Sequence, residues 1–120
     1  MRIFKNTWFE RFAGKEGIAD LELREAVSRL EAGQADANLG GGVYKVRIAR
    51  SGGGKSGGYR VIVLFRNGER TFFVYGFAKS DRANVSQKEL AKLKQLANSL
   101  FSMSDVQITS ALKEGVLDEI

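Results

Sequence analysis

The five residues Arg66-Asn67-Gly68-Glu69-Arg70 constrain this chain more than any other feature. They stand between two runs rich in β-branched and aromatic residues, YRVIVLFR at 59–66 and TFFVYGFA at 71–78. Asn-Gly is a favoured pair for a tight hairpin turn, so the two runs are predicted to be antiparallel neighbours. A third run, VYKVRIA at 43–49, connects to the second through SGGGKSGG, which reads as a longer, flexible hairpin loop.

Helical signals flank this sheet. Residues 2–4 can start a short strand, and from Asn6 or Thr7 the spacing of Trp8, Phe9 and Phe12 suits a short amphipathic helix ended by Gly14 and Gly17. Leu23, Ala26, Val27 and Leu30 follow the i, i+3, i+4, i+7 pattern of one buried stripe, with Gly33 where a left-handed cap is expected. Residues 38–42 read as a loop. Ser86-Gln-Lys-Glu89 is a capping box ahead of a stripe of Leu90, Leu93, Leu96, Ala97, Leu100 and Phe101. Ser104-Asp-Val-Gln107 repeats the signal before a shorter helix that stops near Gly115. The order β-α-α-β-β-β-α-α predicts an α+β fold: a small antiparallel-rich sheet with two N-terminal helices packed on one face, followed by C-terminal helices. With 120 residues and neither an internal repeat nor a linker, residues 1–120 read as a single domain, with 86–120 as a C-terminal helical extension.

Composition narrows the chemistry. The chain has no cysteine and no histidine. That excludes disulfide scaffolds, cysteine nucleophiles and imidazole-based triads, and it leaves a zinc site without its usual ligands. No metal and no cofactor is expected, and acid–base work falls to Lys, Arg, Tyr or carboxylates. No stretch approaches the length of an apolar membrane span, and the charged N-terminal segment lacks the apolar centre of a secretory signal, so a soluble, cytoplasmic protein is expected.

The formal charge of +5 is unevenly spread. Residues 43–82 hold nine basic residues against two acidic ones, a net +7, while the rest of the chain carries −2; from Val43 to Gly68 there is no acid at all. Such a block is the electrostatic footprint of a polyanion binder. Side chains alternate across a strand, and helices need the apolar face, so Lys45 and Arg47 are expected on the open face of the sheet. Arg60 is expected beside them on the next strand, and Lys79 and Arg82 follow the last strand. These five are the candidate catalytic cations. Arg50 and Lys55, on the glycine-rich loop, form a basic flap able to follow a phosphate backbone, and Arg66 joins them as a polyanion-binding candidate. Tyr44, Tyr59 and Tyr75 are nearby aromatics. Tyr44 and Tyr59 read first as core or rim residues, with Tyr59 a further candidate for stacking on a base. The loop at 49–56 superficially resembles a phosphate-binding P-loop. It lacks the leading glycine, which is Ala49 here, and a strand rather than a helix follows, which argues against nucleotide hydrolysis.

GGVYKVRIAR, then GGYRVIVLF, then FFVYGFAKSDRANVS, in that order and spacing, resemble the RelE/HigB superfamily of bacterial type II toxins, most closely its HigB-like branch. The similarity spans nearly the whole chain. It implies a ribosome-dependent mRNA endonuclease that inhibits translation and is neutralised by a cognate antitoxin protein. Metal-independent RNA cleavage needs a group to take the 2′-hydroxyl proton and cations to hold the charge that grows on the phosphate. By resemblance Lys45 and Arg47 match the paired basic residues of the family's first central strand, Arg60 the arginine of its Gly-Tyr-Arg segment, and Lys79 a basic residue after the last strand. Some members carry an arginine directly after the position of Lys79 and a tyrosine seven residues after it; Ser80 and Ser86 stand there in this chain. The segment from Ser86 onward is longer than in minimal members, which leaves two roles open: packing over the sheet, or shaping access to the active face and the antitoxin groove. Two rival functions also remain, a DNA gyrase inhibitor on the same scaffold and a non-catalytic nucleic-acid binder.

Overall fold

The computed structural model describes residues 1–49 and 58–120. The link at Asn67-Gly68 joins β4 (Tyr59–Phe65) to β5 (Arg70–Ala78) as an antiparallel pair, with Phe65 opposite Thr71. The Glu69 N–H donates to the Arg66 carbonyl at 3.0 Å, and Gly68 supplies the positive φ, +78°. β3 (Val43–Ile48) pairs antiparallel with the other edge of β4.

Most of the remaining elements follow the sequence signals, although the first helix continues through Gly14 and is capped at Gly17. β1 (Arg2–Asn6) runs into α1 (Thr7–Glu16), with the Asn6 side chain accepting from the Phe9 N–H at the turn. α2 (Asp20–Glu31) buries Leu23, Ala26, Val27 and Leu30, the stripe the spacing picks out. Both serine capping boxes form, at the starts of α3 (Gln87–Phe101) and α4 (Asp105–Lys113). Two short strands were not expected. β2 (Ala37–Gly40) occupies the region read as a loop and pairs with β3. β6 (Leu117–Glu119) pairs antiparallel with β1 and is fastened by a two-pronged Arg2–Glu119 ion pair at 2.8 and 2.9 Å. The result is a six-stranded mixed sheet in the order β2-β3-β4-β5-β1-β6, with β1 parallel to β5.

One expectation is corrected. Helices were expected on one face of the sheet, with the other open. Instead, every residue of β4 is buried, because both faces carry apolar side chains and both are covered. Val46, Val61, Val63 and Phe73 meet α1 and α2 in one core, together with Tyr44 and Tyr59. Val43, Ile62, Leu64, Phe72 and Val74 meet α3 and α4 in a second. The segment from Ser86 onward therefore builds a full layer of the structure. A buried lysine ties the first layer together: Lys5 on β1 lies 2.6 Å from Glu10 on α1 and 3.2 Å from Asp20 on α2. Burial works against its charge, but the two carboxylates outweigh it and raise the Lys5 pKa.

Candidate active site

The second layer covers only part of its face. Val43, Leu64 and Phe72 lie side by side across β3, β4 and β5 beneath the helices. Further along, the next row is Lys45, Ile62 and Tyr75, and the last is Arg47, Arg60 and Phe77. Directly opposed residues share a face of the sheet, so the helical cover gives way to cations as the strands proceed. A bulge in β5 makes this possible. Ile62 pairs with Tyr75 but Val63 pairs with Phe73, so Val74 is the extra residue, and Tyr75 and Phe77 are turned to the same side as Arg60.

Arg47 and Arg60 are the centre of this end. They stand in direct register, and like charges directly opposite one another destabilise a sheet. No carboxylate among the described residues pairs with either, and residues 50–57 contain none to offer. Arg60 is only 8% exposed, and its one described hydrogen bond is a long contact from Nη1 to the Tyr59 carbonyl at 3.4 Å. Lys45 reaches across to the Asn84 side chain, Nζ to Oδ1 at 3.4 Å. Lys79 follows β5 at the same end of the sheet; its N–H donates to the Gly58 carbonyl at 3.0 Å, and its side chain is exposed.

Arg82 comes to the same place but is already engaged. Its guanidinium grips Glu89 with two bonds, at 2.5 and 3.0 Å, donates to the Tyr75 hydroxyl at 3.1 Å and to the Asn84 carbonyl at 2.9 Å, and lies 5.2 Å over the Phe77 ring. Four of its five N–H donors are thereby used. Arg82 therefore holds the loop between β5 and α3 against the site, and Tyr75 with it. The Arg82 hydrogen bonds, and after them the Ser86 N–H, hold the Glu89 carboxyl down at about 2 from its ordinary 4.5. A carboxyl depressed by folding stabilises the fold only while ionised. Its contribution is complete above its ordinary value and is lost as the pH falls through about 2. Glu89→Gln is therefore expected to melt below the wild type at neutral pH, with the gap closing between about pH 4.5 and 2. Paired thermal melts across that range check it.

The other candidates fall elsewhere. Tyr59 is 3% exposed in the α1/α2 core, its hydroxyl 3.4 Å from the Glu16 carbonyl, so it offers no stacking surface. Arg66 stands at the far end of β4, about 20 Å from Arg60 at the rise of a strand, where it covers the Phe101 ring at 4.5 Å. Arg50 and Lys55 lie outside the described residues. Sequence reasoning missed Asn84 and Glu89, and it took Tyr75 only as a neighbour. Glu89 already had a role as the reciprocal half of a capping box, which concealed its second one.

A six-stranded sheet with helices on both faces carries, at one end, two opposed arginines that have no carboxylate partner among the described residues. The family described as the RelE toxin of the RelE/RelB toxin–antitoxin system matches residues 1–120, and the chain belongs to it. It is a toxin of a toxin–antitoxin system, in a family whose toxins pair with a cognate antitoxin, act on ribosomes and are generally endoribonucleases. Among the described residues no helix is long and apolar enough to cross a membrane.

Proposed function

We infer that this toxin is a metal-independent mRNA endonuclease acting in the cytoplasm on ribosome-bound message, of the HigB-like branch that its Gly-Tyr-Arg and Lys-Ser-Asp-Arg-Ala-Asn segments resemble. The observation that carries the reading is the Arg47–Arg60 pair, two opposed arginines beyond the α3/α4 core, with no carboxylate partner among the described residues. A phosphodiester between them relieves their repulsion, and planar guanidinium forks match its oxygens. The 2′-hydroxyl attacks the adjacent phosphorus, the bond to the 5′ oxygen breaks, and the products are a 2′,3′-cyclic phosphate and a 5′-hydroxyl. Lys45, one row from the arginines, accepts the 2′ proton, and Lys79, at the same end of the sheet, donates a proton to the leaving 5′ oxygen. Arg47 and Arg60 stabilise the charge that develops between these events. Arg82 serves as a positioning residue through Glu89 and Tyr75.

The test is a translation reaction with purified ribosomes and a defined message, read by primer extension. Wild-type toxin is expected to leave new 5′-hydroxyl ends inside the reading frame, and Arg47→Ala with Arg60→Ala to leave none. Intact message alongside arrested DNA supercoiling would assign the protein to gyrase inhibition instead. Salt-sensitive RNA binding without cleaved ends would mark a non-catalytic binder.

A further inference from the structure

Trp8 is the chain's single tryptophan, and it is 43% exposed at the start of α1. A lone exposed apolar residue needs no explanation, but Trp8 is the outer member of a connected wall. It stacks on Phe12 at 5.2 Å and 18°, and leans on Tyr75 at 4.6 Å. Tyr75 adjoins Phe77 at 6.2 Å, and Phe77 is the cross-strand neighbour of Arg60. The wall thus runs from solvent to the candidate phosphate site, with Arg82 bonded to Tyr75 and lying over Phe77. Gly76 allows the close fit: a Cβ there would lie 2.7 Å from the Phe12 ring.

The surroundings of Trp8 suit a nucleotide. A concavity of about 270 Å³ on the α3 side is lined by Val74, Tyr75 and Leu93, with Lys92 and Glu89, whose charge Arg82 neutralises, completing it. Another of about 300 Å³, toward the site, is lined by Phe12 and Phe77, with Lys15 and Arg82 set against Glu16 and Asp81. Trp8 borders both, and on its outer side Arg11 and Lys15 flank it along α1. An aromatic ring beside cations that continue into a phosphate site is how single-stranded nucleic acid is held, bases on rings and backbone on charges.

We propose that Trp8 is a stacking platform for an unpaired base of the bound RNA, close in the strand to the phosphate held by Arg47 and Arg60, with Arg11 and Lys15 meeting the backbone beyond it. This rests on reading the Arg47–Arg60 end as an RNA site. Binding energy gathered at Trp8 then fixes the register in which the strand crosses the arginines.

The single tryptophan is its own reporter. The probes are a ten-nucleotide single-stranded RNA with every 2′-hydroxyl methylated, which cannot be cleaved by 2′ attack, and an abasic oligomer of equal length. At low salt the full-length wild-type toxin is expected to bind both, with Trp8 emission quenched strongly by the base-bearing strand and weakly by the abasic one. Trp8→Ala, followed by anisotropy of a labelled strand, is expected to bind the base-bearing probe about ten-fold more weakly and the abasic probe unchanged, while Trp8→Phe keeps most of the affinity. Equal quenching by the two probes, or undiminished affinity in Trp8→Ala, overturns the stacking role while leaving the arginine site intact. Loss of all binding on Arg47→Ala with Arg60→Ala, with Trp8 insensitive to the bases, likewise overturns the stacking role alone. Failure of the wild type to bind either probe overturns the stacking role, while the ribosome-dependent cleavage stands or falls by primer extension on ribosome-bound message. Quenching by the antitoxin but not by RNA assigns the surface to the protein partner and ends the proposal.

Discussion

Methionine in place of Arg60 is expected to slow RNA cleavage about 10²–10³-fold and to leave the protein at least as stable as the wild type. Arg60 is a buried cation facing a second cation, Arg47, across the β3–β4 ladder. The repulsion of directly opposed like charges is worth about 0.2–1 kcal/mol, and no described carboxylate offsets it. Methionine keeps the apolar stem that packs beside Ile62 and Phe77 and removes the charge. The melting midpoint is therefore expected to stay level or rise by about 1–4 °C, while the growing negative charge on the phosphate loses a donor fork. Such opposition between stability and activity is the signature of a group retained for function. Lysine at the same position keeps the charge but loses the two-pronged geometry, so Arg60→Lys should fall between. Thermal melts and primer extension on the same preparations decide it. A melting point lowered by several degrees makes Arg60 a structural residue, and undiminished cleavage removes it from the mechanism.

The features legible from sequence are those encoded within a few residues. The stripe of α2, the serine boxes before α3 and α4 and the Asn67-Gly68 link each depend on neighbours along the chain, and each forms as expected. The arginine pair is legible for a related reason, since the alternation of β3 and β4 needs only a period of two. What escapes such reading depends on contacts between distant segments. Ile62 and Leu64 alternate with Val61 and Val63, so β4 has no polar face between Arg60 and Arg66; that continuous apolar run is the mark of a strand covered on both sides, and it requires a second helical layer. Strict alternation along β5 puts Tyr75 and Phe77 with Phe73, in the α1/α2 core. The bulge at Val74 turns them to the cation side instead. Their placement on the Arg60 side, and the contact of Trp8 with Tyr75, therefore do not follow from counting along the chain. The strands of three and four residues at the sheet edges form only because β1 and β3 present partners to them.

That second layer makes Phe72→Ala the most destabilising substitution expected outside the site. Phe72 is fully buried on β5, stacked on Phe4 at 5.2 Å and edge-on to Phe101 of α3 at 5.8 Å. Truncating a buried phenylalanine costs about 3–5 kcal/mol, a large share of the roughly 5–15 kcal/mol that holds a domain folded. Denaturant midpoints should fall accordingly, and because the cavity opens beneath α3, amide exchange should quicken in α3 and α4 before it does in β4. The Arg47–Arg60 register is held independently from the other side, where Val46, Val61 and Val63 pack against α1 and α2. Cleavage per folded molecule should therefore stay near that of the wild type at temperatures where the variant remains folded. A loss below about 1 kcal/mol, ordinary for a surface substitution, would mean that α3 and α4 rest on the sheet without forming a core with it. Cleavage lost while the fold persists would mean instead that the helical layer sets the spacing of the arginines, and that the two ends of this face are a single mechanical unit.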